Sequence, residues 1–258
     1  MSAVPQRLYF LRKKAALLFF LLGRVGRHGW GQFWTGLRHR NTGYLAMEMA
    51  PILPREASVI VDVGGHTGDC AAAFDFLYRP KTLIVVEPNA NQLAALRARF
   101  AGHPAVEIVN NALSDRPGEV IFHTYAFDAA SSLFVCRPGH LQELGFSEVH
   151  AATKVVAITL AQLLAERNLT GVDLLKLDCQ GAELAILRGA GASLHGVRAI
   201  YTEVAFEPIY ESAPLFAEVH AHLLGQDFNL VHLGEFAGKP GHIQWGDALY
   251  LNRRFSPA

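Results

Sequence analysis

Three stretches of this chain hold residues whose types and spacing could do chemistry. The first is V-D-V-G-G-H-T-G-D, residues 61–69. Gly64, Gly65 and Gly68 let the backbone approach a ligand closely. Asp62 precedes them and Asp69 follows. The dinucleotide fingerprint G-x-G-x-x-G fails here, because from Gly64 its other glycines would fall at His66 and Asp69. No G-K-[ST] occurs anywhere, which excludes a Walker A loop. Two acids make a poor surround for a pyrophosphate and suit a ligand with positive charge. S-adenosylmethionine (SAM), with a sulfonium, an ammonium and no phosphate, is such a ligand.

The second stretch is V-V-E-P-N, where Glu87 ends an apolar run. An acid at this point can accept hydrogen bonds from ribose hydroxyls. Asn111 and Ala112, after the next apolar run, are expected beside the adenine. The third stretch is L-L-K-L-D-C-Q-G-A-E, residues 174–183. Lys176 and Asp178 share one face of a strand, being two apart. Charges in a buried strand are costly unless paired or functional. Lys176 reads as one half of a salt bridge to a neighbouring strand, and Asp178 as functional. Glu183 lies beside it, and Glu203, near the end of the next strand, faces the same edge.

Other chemistries find little support. The 12 histidines include no H-E-x-x-H. His220 and His222 diverge by about 200° on a helix. No G-x-S-x-G elbow occurs. Cys70, Cys136 and Cys179 are far apart and form no CxxC, which suggests buried thiols and a cytoplasmic setting.

These stretches need elements to hold them. Apolar runs at 58–64, 82–88, 105–113, 172–178 and 197–206 read as strands. Helices follow from about Asp69, after Asn89 or Asn91, after Thr159, over 181–190 and over 214–224. Residues 120–126 predict a short strand and 128–153 a loop-rich insertion. FNLVHLGEF and GDALYLNR predict a closing antiparallel pair. Alternating buried strands and helices imply an α/β fold, a parallel sheet with helices on both faces and ligands at the strands' carboxyl ends.

Residues 1–57 differ in texture and predict a basic, helical N-terminal extension to a domain over 58–258. The chain has 23 basic and 23 acidic residues and no net charge. Eight of the basic ones, and none of the acids, lie in residues 1–40. The head therefore carries +8 and the rest −8. The run Ala15 to Leu22 is too short to span a bilayer, which takes about 20 apolar residues. Two expectations remain for it: a helix docked on the body, or peripheral contact with anionic lipid through residues 1–40. The acidic body carries no basic stripe with interleaved aromatics, so nucleic acid is not an expected partner.

From Ser58 onward the chain resembles the FkbM-type SAM-dependent methyltransferases. The resemblance is carried by V-D-V-G-G-H-T-G, V-V-E-P-N, V-N-N-A-L-S-D, K-L-D-C-Q-G-A-E-L-A-I-L-R-G-A, Y-T-E-V, P-I-Y-E-S-A-P-L-F and D-A-L-Y, in that order. It departs at His66, where Asn is common, at Leu160-Ala161, often Leu-Asp, and at Gln180, often Glu. It implies a class I methyltransferase, Rossmann-like fold with a mostly parallel seven-stranded sheet. The activity it implies is methyl transfer to oxygen, on a sugar, glycan or secondary-metabolite hydroxyl. Asp62, Gly64, Gly65, His66, Gly68, Glu87, Asn111 and Ala112 are then expected at the cofactor. Asp178 is the first candidate for general base, with Glu203 and Glu183 in reserve. A variant has Mg²⁺ on Asp178 and Glu203, polarising the hydroxyl. The acceptor would be shaped by residues 126–153. Two other expectations compete: a non-catalytic scaffold of the same fold, and a nicotinamide-dependent oxidoreductase.

Overall fold

The chain runs as α1 (Arg40–Met49), β1 (Val59–Val63), α2 (Asp69–Tyr78), β2 (Thr82–Val86), α3 (Ala90–Arg99) and β3 (Val106–Val109). It continues through β4 (Ala112–Leu113), β5 (Gly118–Tyr125), a 3-10 turn (Asp128–Ala130), α4 (His140–Glu143), β6 (His150–Ile158) and α5 (Leu160–Glu166). It closes with β7 (Val172–Leu177), α6 (Glu183–Ala190), β8 (Val197–Ala205), α7 (Phe216–Gly225), β9 (Phe228–Lys239) and β10 (His242–Asn252). This computed structural model describes residues 16–18, 20–22, 40–143, 150–239 and 241–255.

Seven strands form one sheet in the order β3-β2-β1-β7-β8-β10-β9. The β1–β2, β2–β3, β1–β7 and β7–β8 pairs are parallel. β10 runs antiparallel to both β8 and β9. The chain builds outward from β1 to β3 and then returns to the other side of β1 as β7. That reversal opens a crevice above the carboxyl ends of β1 and β7, where open α/β sheets bind ligands. The fold is the expected α/β, class I methyltransferase arrangement.

Period-two alternation divides the strands between two cores. Val61, Val63, Leu175, Leu177 and Ile200 pack under α5, α6 and α7. Ile60, Leu83, Val85, Leu174 and Tyr201 pack against α1 and α2. The head joins the second core: Leu17 and Leu21, one helical turn apart, are 3% and 1% exposed. Leu18 and Leu22 face outward, and Phe19 lies outside the described residues. Among the described residues no helix is long and apolar enough to cross a membrane.

The middle of the chain differs from expectation. The run 105–113 is not one strand. It breaks at Asn110-Asn111, and β4 leaves the main sheet to pair with β6. Within 128–153, residues 150–153 are strand, paired with β5. β4, β6 and β5 thus make a second, three-stranded sheet. Thr159 caps α5 in a reciprocal capping box with Gln162. Asn89 caps α3, its side chain accepting from Asn91 N–H.

Candidate active site

The loop after β1 is shaped by what it crosses. Gly64 has φ 76°, and a Cβ there would lie 1.9 Å from Asp178 O. Only glycine allows that passage over the end of β7. The Gly64 and Gly65 N–H groups both donate to Val86 O, at 3.0 and 3.1 Å. His66 N–H donates to Glu87 Oε2 at 2.7 Å, and Asn89 N–H to Glu87 Oε1 at 2.8 Å. Glu87 is therefore first a clamp between the loop and the β2–α3 turn. An ionised carboxylate has about four acceptor sites, so two remain beyond the clamp. Burial pushes the Glu87 pKa up, against the two N–H groups that stabilise its charge. Gly64, Gly65, His66, Glu87, Asn111 and Ala112 all line one cavity of about 240 Å³. Gly68, with φ 83°, instead starts α2 from behind it.

Asp62 is not at that cavity. It is fully buried beneath the loop, in register with Lys176 on the adjacent strand. Parallel neighbours in register share a face, so the two meet as an ion pair at 3.2 Å. Lys176 also donates to Gly64 O at 3.1 Å and lies 3.5 Å from Asp178 Oδ2. Burial disfavours its ammonium, but Asp62 and Asp178 outweigh this and hold its pKa well above the ordinary value. Lys176 is the strand-to-strand salt bridge expected of it, and it braces the loop as well.

Asp178, half-exposed at the end of β7, does line the cavity. Gln180 Nε2 donates to Asp178 Oδ1 at 2.9 Å and to Glu203 Oε1 at 3.2 Å. Gln180 Oε1 accepts from the Tyr210 hydroxyl at 2.8 Å. One amide thus holds both carboxylates, and its own orientation is fixed by the tyrosine. Burial holds Glu203 well above the carboxylate range, and the Asp178 and Glu183 charges push the same way. Glu183 is occupied elsewhere. Its oxygens accept from Cys179 N–H at 2.7 Å and Gly181 N–H at 2.9 Å, closing the turn into α6. Burial pushes its pKa up to about 7, and it is absent from the main cavity.

The Mg²⁺ expectation does not fit these residues. The Gln180 Nε2 donor stands between Asp178 and Glu203, where a cation would need acceptors only. Among the described residues, no three His, Cys, Asp or Glu converge as a metal set.

The insertion supplies residues that sequence reasoning missed. Asp128 lies 3.1 Å from His66 Nε2 through Oδ1, and its Oδ2 accepts from Gln92 Nε2. It ties the glycine loop to α3 across the mouth of the cavity. Ser132 Oγ donates to Gln180 O at 2.6 Å, and Ser131 and Leu133 complete that wall. Asp128 sits among small residues in A-F-D-A-A-S-S, a stretch with no periodicity to announce it.

The cavity wall carries Asp69, Glu87, Asp128 and Asp178, while its lysine is committed to Asp62. Among the described residues it has no lysine or arginine left for a phosphate, and it favours a positively charged guest.

The chain is 29% identical over 171 residues to the 2-O-methyltransferase NoeI of Sinorhizobium fredii, covering 64% of this chain and 70% of that one. Similar solved structures include Aeropyrum pernix fibrillarin with natively bound S-adenosyl-L-methionine, at 13% identity and TM-score 0.47, covering 80% of this chain and 72% of that one. Another is M. capricolum TrmK in complex with S-adenosyl-homocysteine, at 7% identity and TM-score 0.46, covering 81% and 68%. The model of the methyltransferase FkbM domain matches residues 62–230, more than half of the chain. The chain therefore belongs to the FkbM methyltransferase domain family and is an enzyme that transfers methyl groups.

Proposed function

We propose that the protein moves a methyl group from SAM to a hydroxyl of a sugar, glycan or secondary metabolite. The observation that carries the cofactor is the acidic cavity over a glycine loop. The residues fit the group. The glycines at 64 and 65 let the loop press against Asp178 O and the Val85 side chain, which seats it at the cavity wall, and Glu87 keeps acceptor sites for ribose hydroxyls. Asn111 and Ala112 would flank the base. SAM supplies, when bound, a methyl on a sulfonium that leaves without acid assistance.

What remains for the chain is positioning and proton removal. Asp178 is the base we assign: it alone among the three candidate carboxylates lines this cavity. Gln180 fixes its Oδ1, and Lys176 stands beside Oδ2. Glu203, tethered to the same amide, is a positioning partner. Glu183 shapes the turn that presents Asp178. The similarity to a 2-O-methyltransferase supports oxygen as the acceptor atom. The nicotinamide alternative lacks its loop, and the scaffold alternative ends with the family assignment.

Asp178→Asn tests the base. Turnover should fall by about 10²-fold or more, the usual worth of a general base. SAM affinity, read by calorimetry, should stay within about threefold. A variant that keeps wild-type turnover would remove Asp178 from the role.

A further inference from the structure

A second cavity, of about 210 Å³, adjoins the first. The two share Gln180 and Ala129 in their walls. Where the first is acidic, the second is mainly ring and hydrocarbon: Phe127, His140, Ile209, Tyr210 and Trp245, with Glu203 as the acid. It is assembled from distant pieces. The insertion strand segment at Cys136 bridges Tyr210, and Arg137 N–H donates to Ile209 O at 2.9 Å. β10 slips register on both sides of Trp245. Such bulges re-aim a side chain and gather beside functional sites. The His140 ring stands edge-on to the indole, with centroids 6.5 Å apart.

We infer that this second cavity is the acceptor subsite, that it takes one neutral, saturated, hydroxylated ring, and that Trp245 is its stacking platform. The inference rests on the methyl-transfer reading and adds where the acceptor sits and what selects it. The polar groups narrow the guest. The Tyr210 hydroxyl has its one proton engaged by Gln180 Oε1 and Ala130 O, so toward a guest it can only accept. Glu203 gives one oxygen to Gln180, and its Oε2 has no hydrogen-bond partner among the described residues. A wholly apolar ring would leave that carboxyl oxygen buried and without a partner, which is costly. A phosphorylated or carboxylated ring would find no lysine or arginine among the described residues of this wall to pair with its charge. A pyranose meets both demands, with a C–H face for the indole and a hydroxyl edge for Glu203. Gln180, touching both carboxylates, then marks the junction across which the methyl passes.

Full-length protein saturated with S-adenosylhomocysteine is titrated with methyl pyranosides of several configurations, to about 100 mM, enough to detect weak single-ring binding. The indole N–H resonance of Trp245, assigned with Trp245→Phe, is followed by NMR. Catechol and tetramethylammonium serve as the planar and cationic comparisons. At least one pyranoside should shift Trp245, and neither comparison should do so to the same extent. For the pyranoside that is methylated, Trp245→Ala should raise KM about tenfold or more and leave S-adenosylhomocysteine affinity unchanged. Trp245→Phe, which keeps a ring in place, should fall between. No shift with any pyranoside, a stronger response to either comparison, or an unchanged KM in Trp245→Ala overturns the subsite. Failure of S-adenosylhomocysteine to bind overturns the methyl-transfer reading instead.

Discussion

Lys176 reaches three oxygens from one buried ammonium: Gly64 O, Asp62 Oδ1 and Asp178 Oδ2. The sequence signals this brace in one respect, because a lysine in an apolar strand needs an anion nearby. It does not signal that Asp62 is that anion, since any acid next to a glycine loop also suits a cationic ligand. The register between β1 and β7 decides the matter, and register is a tertiary property. Breaking such a pair strands a charge in the core. Lys176→Met should cost about 3–5 kcal/mol in urea denaturation. With the ammonium gone, burial drives the Asp62 carboxyl further up. A raised carboxyl favours folding at low pH and costs stability as pH rises through its window. The Lys176→Met deficit should therefore grow from pH 5 to pH 8. Asp62→Leu/Lys176→Met should recover most of it, because no charge is left unpaired. A double variant as unstable as the single would argue against a paired charge.

At the scale of elements, strand and helix patterning located every strand of the main sheet, the capped start of α5 and the closing antiparallel pair. It failed where pairing leaves no local trace. Asn110 and Asn111 look like the end of a strand, yet they are the bend by which β4 departs for the second sheet. The segment 126–153, expected to shape the acceptor site, contributes Phe127 and His140 to the second cavity. Its other walls, from Tyr210 and Trp245, lie about a hundred residues on and follow from topology alone. The turn from β7 into α6 has a testable signature of its own. Glu183 accepts from two backbone N–H groups while its pKa is raised from 4.5 to about 7. The folded state therefore holds this proton more tightly than the unfolded state between those values. Stability from this group is full below about pH 4.5 and is lost as pH rises to about 7, on the order of 3 kcal/mol. Glu183→Gln should flatten the decline of unfolding free energy across that range, whatever offset it brings by giving up one acceptor. An unchanged slope would mean that the turn does not hold Glu183 in this state.

For the whole molecule, zero net charge conceals a division. The head of residues 1–40 carries +8, and the remaining −8 includes the acids of the cavity wall. Leu17 and Leu21 are committed to the core shared with Phe74 and Leu83, while Leu18 and Leu22, at 41% and 43% exposed, are the large apolar groups that face outward among the described residues of the head. A docked helix and a membrane contact are therefore compatible, because they use different side chains of one turn, adjacent positions being about 100° apart. Each basic side chain near an anionic surface adds about 1 kcal/mol, and salt removes it within a Debye length of about 10 Å at 0.1 M. The full chain should cosediment with vesicles rich in anionic phospholipid at low ionic strength, and leave them at about 0.5 M salt. Neutral phosphatidylcholine vesicles should retain little of it. Leu18→Ser/Leu22→Ser should weaken binding while the melting temperature stays put, since neither side chain is buried. Leu17→Ala should do the reverse, costing about 2–5 kcal/mol of stability before it touches the membrane. Binding indifferent to lipid charge would remove the basic head from the interaction. Binding lost only together with folding would assign the whole turn to the core.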